Sequence, residues 1–172
     1  MYGYSGKILH IDLKTKKTWV EDKPEEWYKL WIGGVSMASR LLWENIVPGC
    51  DPLDDGNPIC FANGIFTGTP VPVGGKFGLA SKSPLTGFIG DSLSGSWFSI
   101  ALKRAGWDGV VLHNSCDRWT NLFIDDDRVQ FLDATYLLGK GTFETEEAIR
   151  KKMGDDQVRS CTIGICGEHL VR

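Results

Sequence analysis

Apolar and polar residues alternate near the start of the chain. Over residues 7–13, Leu9, Ile11 and Leu13 share one face and Ile8, His10 and Asp12 the other, which is the period of a β-strand. Thr18-Trp19-Val20 supplies a return strand, and the turn Lys14-Thr15-Lys16-Lys17 joins the two into a hairpin. Pro24 opens a short helix at its first turn, where a missing N–H costs nothing. Trp27, Leu30 and Trp31 form its apolar stripe, and Gly33-Gly34 stops it. A second helix carries Met37, Ala38, Leu41 and Leu42 on one side and ends near Asn45, before Pro48. Residues 59–62 read as a short apolar strand broken by Asn63-Gly64. A long irregular loop follows, and residues 77–81 extend again. Loops of that kind inside a compact domain are usually functional.

Downstream, Phe98, Ala101, Leu102 and Ala105 recur at i, i+3, i+4 and i+7, the apolar face of a helix. Gly106-Trp107-Asp108-Gly109 turns the chain into an apolar strand at 110–113. Residues 121–132 form a second hairpin around Asp125-Asp126-Asp127, which lack calcium-loop spacing and read as a solvated turn. Residues 142–153 make a helix with acidic residues early and Arg150, Lys151 and Lys152 late, as the helix dipole prefers. A last strand is expected over 158–165.

The two ends repeat each other: ILHID, a turn and TWVED match NLFID, a turn and VQFLD, and each pair leads through a Leu/Gly bend into a helix and an apolar, Gly-containing stretch. Two accounts stand, an internal duplication or the chance likeness of two short α+β stretches. Duplication predicts an α+β fold of two hairpin–helix–strand units, roughly 6–68 and 119–168, with pseudo-twofold symmetry inside one domain covering 1–172. The length of 172 residues suits a single core-bearing domain.

The small-residue run Asp91-Ser92-Leu93-Ser94-Gly95-Ser96 feeds into the third helical pattern, shortly after Gly74-Gly75-Lys76-Phe77. A Ser/Gly run at a helix start offers free N–H groups and the positive end of the dipole to an anion, and Lys76 adds a mobile cation. The plain alternative is that Ser94 or Ser96 caps a core helix and the glycines only turn, since no known phosphate-binding fingerprint is present. Net charge is −3 with scattered basic residues, which argues against nucleic acid as a partner. No apolar run reaches membrane-spanning length, and the N-terminus lacks a signal-peptide core, pointing to the cytoplasm. Five cysteines, an odd count, speak against a disulfide framework and read as small buried hydrophobes. His10, His113 and His169 show no ligand spacing and lie away from the loop at 74–95, so no catalytic residue is assigned.

From MYGYSGKILHIDL through IFTGTP, GGKFGLASKSPLTGFI, LKRAGWDGVV and DATYLLGKGTFETEEAIRK to IGICGEHLVR, the whole chain resembles the N-terminal domain of the aldehyde:ferredoxin oxidoreductase family. That resemblance implies a base domain on which a tungsten or molybdenum bis-pyranopterin sits. It implies that Gly74, Gly75, Lys76, Phe77, Ser92, Leu93, Ser94 and Gly95 lie against the pterin and its phosphates, and that the Leu93 backbone carbonyl helps to hold a bridging magnesium. The family usually has Arg at the position of Lys76 and Asn at that of Leu93. Lysine keeps the charge but loses the planar fork.

Family members continue well past the length of this chain into helical domains that supply a 4Fe-4S cluster, further pterin contacts and acid–base residues. The resemblance therefore implies remaining catalytic domains or a separate large subunit, ferredoxin or a similar electron carrier, and no activity from this chain alone. Oxidation of aldehydes to carboxylic acids is the commonest activity it implies. Component of an aryl-CoA (benzoyl-CoA type) reductase and stand-alone cofactor-binding scaffold are the alternatives. A domain of this kind is expected to expose a large apolar or glycine-rich face.

Overall fold

The computed structural model describes residues 2–171. Strands β1 (Lys7–Asp12) and β2 (Lys17–Asp22) form the expected hairpin, with Leu9 opposite Val20 and His10 opposite Trp19. The turn is held by Asp12, whose Oδ1 accepts the N–H groups of Lys14 (2.9 Å) and Thr15 (3.0 Å). Helices α1 (Glu25–Trp31) and α2 (Gly34–Asn45) follow. Strands β3 (Ile59–Asn63), β4 (Lys76–Lys82) and β5 (Ile89–Gly95) come next, then α3 (Trp97–Arg104) and β6 (Gly109–His113). These six strands make one mixed sheet in the order β2-β1-β6-β3-β4-β5, in which only β1 and β6 run parallel.

Alternation along β1 puts side chains on both faces of this sheet, and both faces are covered. On one side Ile8, Cys60, Ala62, Ala80 and Val111 pack with Met37, Ala38, Leu41 and Leu42 of α2. These four helix positions are the ones the periodicity selects, and all are essentially solvent-free. Each fully buried leucine contributes about 1.5–3 kcal/mol, so the stripe alone anchors α2 to the sheet. On the other side Leu9, Ile11 and Val110 pack with Leu102 and Trp107, and with Phe98 of α3.

The second hairpin, β7 (Thr120–Asp125) and β8 (Arg128–Asp133), forms as expected, but as a separate two-stranded sheet. Leu122, Ile124, Val129 and Phe131 lay it over the Leu9/Ile11 side of the core, and Trp107 Nε1 donates to the Asp126 carbonyl at 2.8 Å. A 3₁₀ turn (Thr135–Leu137) leads to α4 (Thr142–Met153), which ends in Gly154 with a left-handed φ of 69°.

The structure departs from the expected local elements at several places. Residues 158–163 form no strand, and Gly164–Glu168 is a short helix, α5. Among the described residues no strand pairs with this stretch, and Ile163 stays 66% exposed. The second unit is thus hairpin–helix–helix, its hairpin stands outside the main sheet, and the duplicated symmetry is not completed among the described residues. In α1 the buried side chain is Tyr28, whereas Leu30 is 69% exposed. Phe77 lies in the core, its ring 5.5 Å from Phe98 and 6.0 Å from Phe61. Ser92, Leu93, Ser94 and Gly95 belong to edge strand β5 rather than to a helix start. Only Ser96 caps α3, its Oγ accepting the Phe98 N–H at 3.1 Å.

Candidate functional site

Strand β5 is the free edge of the sheet, and its pairing with β4 sorts the expected site residues by face. The register sets Gly95 against Lys76, Ser94 against Phe77, Leu93 against Gly78 and Ser92 against Leu79. Lys76, Leu93 and Gly95 therefore share the α2 side of the sheet, while Ser92 and Ser94 share the opposite side with Phe77. The structure brings the first three together and separates them from the other three.

The ladder also fixes which backbone groups are free. The Ser96 N–H donates to the Gly75 carbonyl at 3.1 Å, which sets the phase of the antiparallel pairing. In that phase Ser94 and Ser92 bond back to β4, and the N–H and C=O of Ile89, Asp91, Leu93 and Gly95 face outward from the edge. The Leu93 carbonyl thus points away from the sheet. The N–H groups of Ser94 and Ser96 are engaged in the ladder, so among these three residues only that of Gly95 remains for a ligand.

Lys76 opens β4 and is exposed, with no ion pair among the described residues. A Cβ built on Gly95 would lie 3.9 Å from Lys76 Nζ and 3.6 Å from the Gly75 carbonyl oxygen. That is ordinary contact, so the missing methyl leaves ligand-side space beside the ammonium group. The loop before Lys76 is tightly held. Thr67 is buried, and its Oγ1 sits 2.7 Å from the Lys76 carbonyl and 3.1 Å from that of Gly74, one hydroxyl proton serving both. A Cβ on Gly74 would stand 2.7 Å from the Phe66 carbonyl oxygen, and one on Gly75 3.0 Å from Ile100. These two glycines pack the loop; they do not face the edge cleft as a pair.

The sequence points to the start of α3 as the anion-attracting helix end, but it is the start of α2 that lies on the Lys76/Leu93 face. A Cβ on Gly78 would come within 2.3 Å of the Val35 backbone nitrogen, so α2 begins directly over β4, next to Leu93. No side chain caps this helix, and its first N–H groups carry the positive end of the dipole. The signal was present as Gly33-Gly34 ahead of an apolar stripe, yet only the close approach at Gly78 links it to the edge.

Two β-branched residues hold left-handed backbone beside this region: Ile32 (φ 56°) before Gly33-Gly34 and Val73 (φ 61°) before Gly74-Gly75. Each such residue costs on the order of 1–3 kcal/mol, and strain of this kind gathers at ligand clamps. Exposed apolar side chains surround the edge, among them Phe66, Val73, Leu93 and Trp97. A separate apolar groove of about 280 Å³ runs between the end of α2 (Trp43, Ile46, Val47) and the β4–β5 turn (Phe88, Ile89).

Among the described residues no cluster of three or more His, Cys, Asp and Glu side chains could hold a metal ion, and no helix is long and apolar enough to cross a membrane. The donor set at the edge is thus backbone carbonyl, backbone N–H and one ammonium group, which suits a phosphate and a hard cation such as magnesium better than a protein-ligated transition metal. Toward the opposite edge of the sheet, parallel pairing of β1 with β6 joins His10 and His113, whose Nδ1 and Nε2 lie 2.9 Å apart.

The described residues form a mixed α+β fold whose main sheet ends in the glycine-containing edge strand β5. Residues 8–172 match the aldehyde ferredoxin oxidoreductase N-terminal domain, and the chain belongs to that family of oxidoreductases. The tungsten-containing aldehyde ferredoxin oxidoreductase of Thermococcus kodakarensis is 40% identical over 172 residues, the whole of this chain and 28% of that protein. Its counterpart in Pyrococcus furiosus is 38% identical over the same span and share. The aliphatic sulfonate oxidoreductase WOR-like subunit of Pyrococcus furiosus is 30% identical over 159 residues, 91% of this chain and 25% of that protein. Among solved structures, the active site complex BamBC of benzoyl coenzyme A reductase with 1,5-dienoyl-CoA superposes with a TM-score of 0.85 at 28% identity, covering 90% of this chain and 24% of that one. The chain spans about 28% of the length of the curated relatives.

Proposed function

We propose that this chain is the pterin-carrying N-terminal part of a tungsten or molybdenum oxidoreductase, most consistent with oxidation of aldehydes to carboxylic acids and transfer of the electrons to ferredoxin. The observation that carries this reading is that Lys76, Leu93 and Gly95 share one face at the β4–β5 edge, with the Leu93 carbonyl directed outward from that edge, in a chain of this family. Lys76 would neutralise a phosphate of the bis-pyranopterin, and the Leu93 carbonyl would be one ligand of an accompanying magnesium ion. Gly95 would leave room for the close approach, assisted by the N-terminal end of α2. When bound, the tungstopterin supplies the two-electron chemistry, with an aldehyde and water giving a carboxylic acid, two protons and two electrons.

This chain's own work is then binding and orientation. Acid–base residues, substrate pocket and 4Fe-4S cluster belong to the domains or the large subunit that make up the rest of the enzyme. The likeness to the BamBC structure supports a second reading, a component of an aryl-CoA reductase, and the residues described here serve both equally. The test is the tungsten or molybdenum content of the assembled enzyme carrying Lys76→Ala or Gly95→Val. Lys76→Ala is expected to weaken cofactor retention by about 1–3 kcal/mol, the loss of a charge-assisted hydrogen bond. Gly95→Val is expected to lower occupancy while the domain still folds. Full metal occupancy in both variants refutes the reading.

A further inference from the structure

His10 is 2% exposed and stands between two partners. Its Nδ1 lies 2.9 Å from His113 Nε2 on β6, and its Nε2 lies 3.1 Å from Glu21 Oε2 on β2. Trp19, also on β2, stacks over both imidazoles, with ring centroids 4.9 Å from His10 and 5.1 Å from His113 and interplanar angles of 17° and 24°. Glu21 is held in turn by Lys23, which also pairs with Glu44 of α2, and Glu44 binds Arg40. Asp12, at the end of β1, is the carboxylate whose field reaches His113. Strand β2 is an outer strand of the sheet, attached only to β1 by its ladder.

We propose that Glu21, His10 and His113 form a one-proton clasp that fastens outer strand β2 across β1 to β6 and opens when a second proton is taken up. The wiring follows from donor and acceptor count. A carboxylate only accepts, so His10 Nε2 carries the proton it shares with Glu21. Neutral His10 then has a bare Nδ1, which must accept, so His113 Nε2 carries the proton between the rings. His113 Nδ1 is left bare as the port for the first added proton. That proton leaves every bond of the chain intact. The next one has to go to His10 Nδ1, and two N–H groups then face each other where a hydrogen bond was. Burial holds both imidazoles below the usual histidine range, helped at His10 by the Lys23 charge and at His113 by the charge of His10. Opening releases Trp19 and Glu21, and with them β2, from the sheet. The edge of β1 is then free to pair with another strand.

The test uses the full chain in the state in which it is isolated. Long-range ¹H–¹⁵N spectra of the imidazoles and amide-exchange protection of β2 are followed from pH 7.5 to 5, with the β3 amides as internal reference. At pH 7.5 both rings are expected as Nε2–H tautomers. As the second proton binds, β2 protection relative to β3 is expected to fall by about ten-fold or more, the change that one unit of pKa displacement produces. His113→Phe keeps the stack on Trp19 but leaves no facing donor, so its β2 protection is expected to be independent of pH in this range. A proton on Nδ1 of either ring at pH 7.5 overturns the proposal. So does β2 protection that tracks β3 throughout, or an unchanged pH response in His113→Phe.

Discussion

Asp108 is the group whose loss should cost this domain most. It is 1% exposed, and its carboxylate accepts the N–H groups of Ser5 (2.9 Å to Oδ2) and Gly6 (2.7 Å) and pairs with Lys103. Lys103, itself 12% exposed at the side chain, also donates to the Gly3 carbonyl at 2.9 Å and lies over the Tyr4 ring. The N-terminal loop, α3 and the start of β6 are thereby tied at one buried point. In Asp108→Asn one oxygen becomes an NH₂ group that faces an N–H, and Lys103 keeps a charge with no carboxylate to meet it. Removing one partner of a buried pair costs about 3–5 kcal/mol, a large share of the roughly 5–15 kcal/mol that stabilises a domain. At about 2–4 °C per kcal/mol for this chain length, the thermal midpoint should fall by roughly 6–20 °C. The assay is urea and thermal unfolding of wild type, Asp108→Asn, Lys103→Met and the double variant. Because the damage in each single variant is the stranded partner, the double variant should lose about 2 kcal/mol or more less than the sum of the singles. Additive losses, or a loss below about 1 kcal/mol in Asp108→Asn, would refute the reasoning.

Two further outcomes are expected. Gly78→Ala puts a Cβ 2.3 Å from the Val35 backbone nitrogen, where no flexible side chain can yield, so α2 must shift off β4. A loss of about 3 kcal/mol in urea unfolding is expected, and cofactor occupancy of the assembled enzyme should fall with it; wild-type stability would show that the α2 start is movable. Burial pushes the Cys60 thiol up to about 12, whereas Cys166 is exposed. At pH 8 a thiol-specific reagent should modify Cys166 quickly and Cys60 only on unfolding, and equal rates under native conditions would contradict the core assignment.

What the sequence alone determined is what a local period can encode. The stripe Met37, Ala38, Leu41 and Leu42 names its buried face without help from the rest of the chain, because a 3.6-residue repeat has only one way to meet a sheet. The alternation at residues 7–13 likewise foretold strand β1, whereas the cover on both of its faces came from tertiary packing. Motif order across the whole chain carried the family. Tertiary structure decided the rest. Ser92, Ser94 and Gly95 have no hydrophobic period, so nothing local distinguishes a helix entry from an edge strand; the ladder from β4 makes the choice and turns the Leu93 carbonyl outward. The same ladder split the expected site residues between two faces and sent Phe77 into the core. Residues 158–165 show the converse case: an apolar run becomes a strand only if a neighbouring strand completes its hydrogen bonds, and among the described residues none pairs with it. His10 and His113, 103 positions apart, meet because β1 and β6 pair in parallel, a register set by the packing of the whole sheet and by no spacing in the chain.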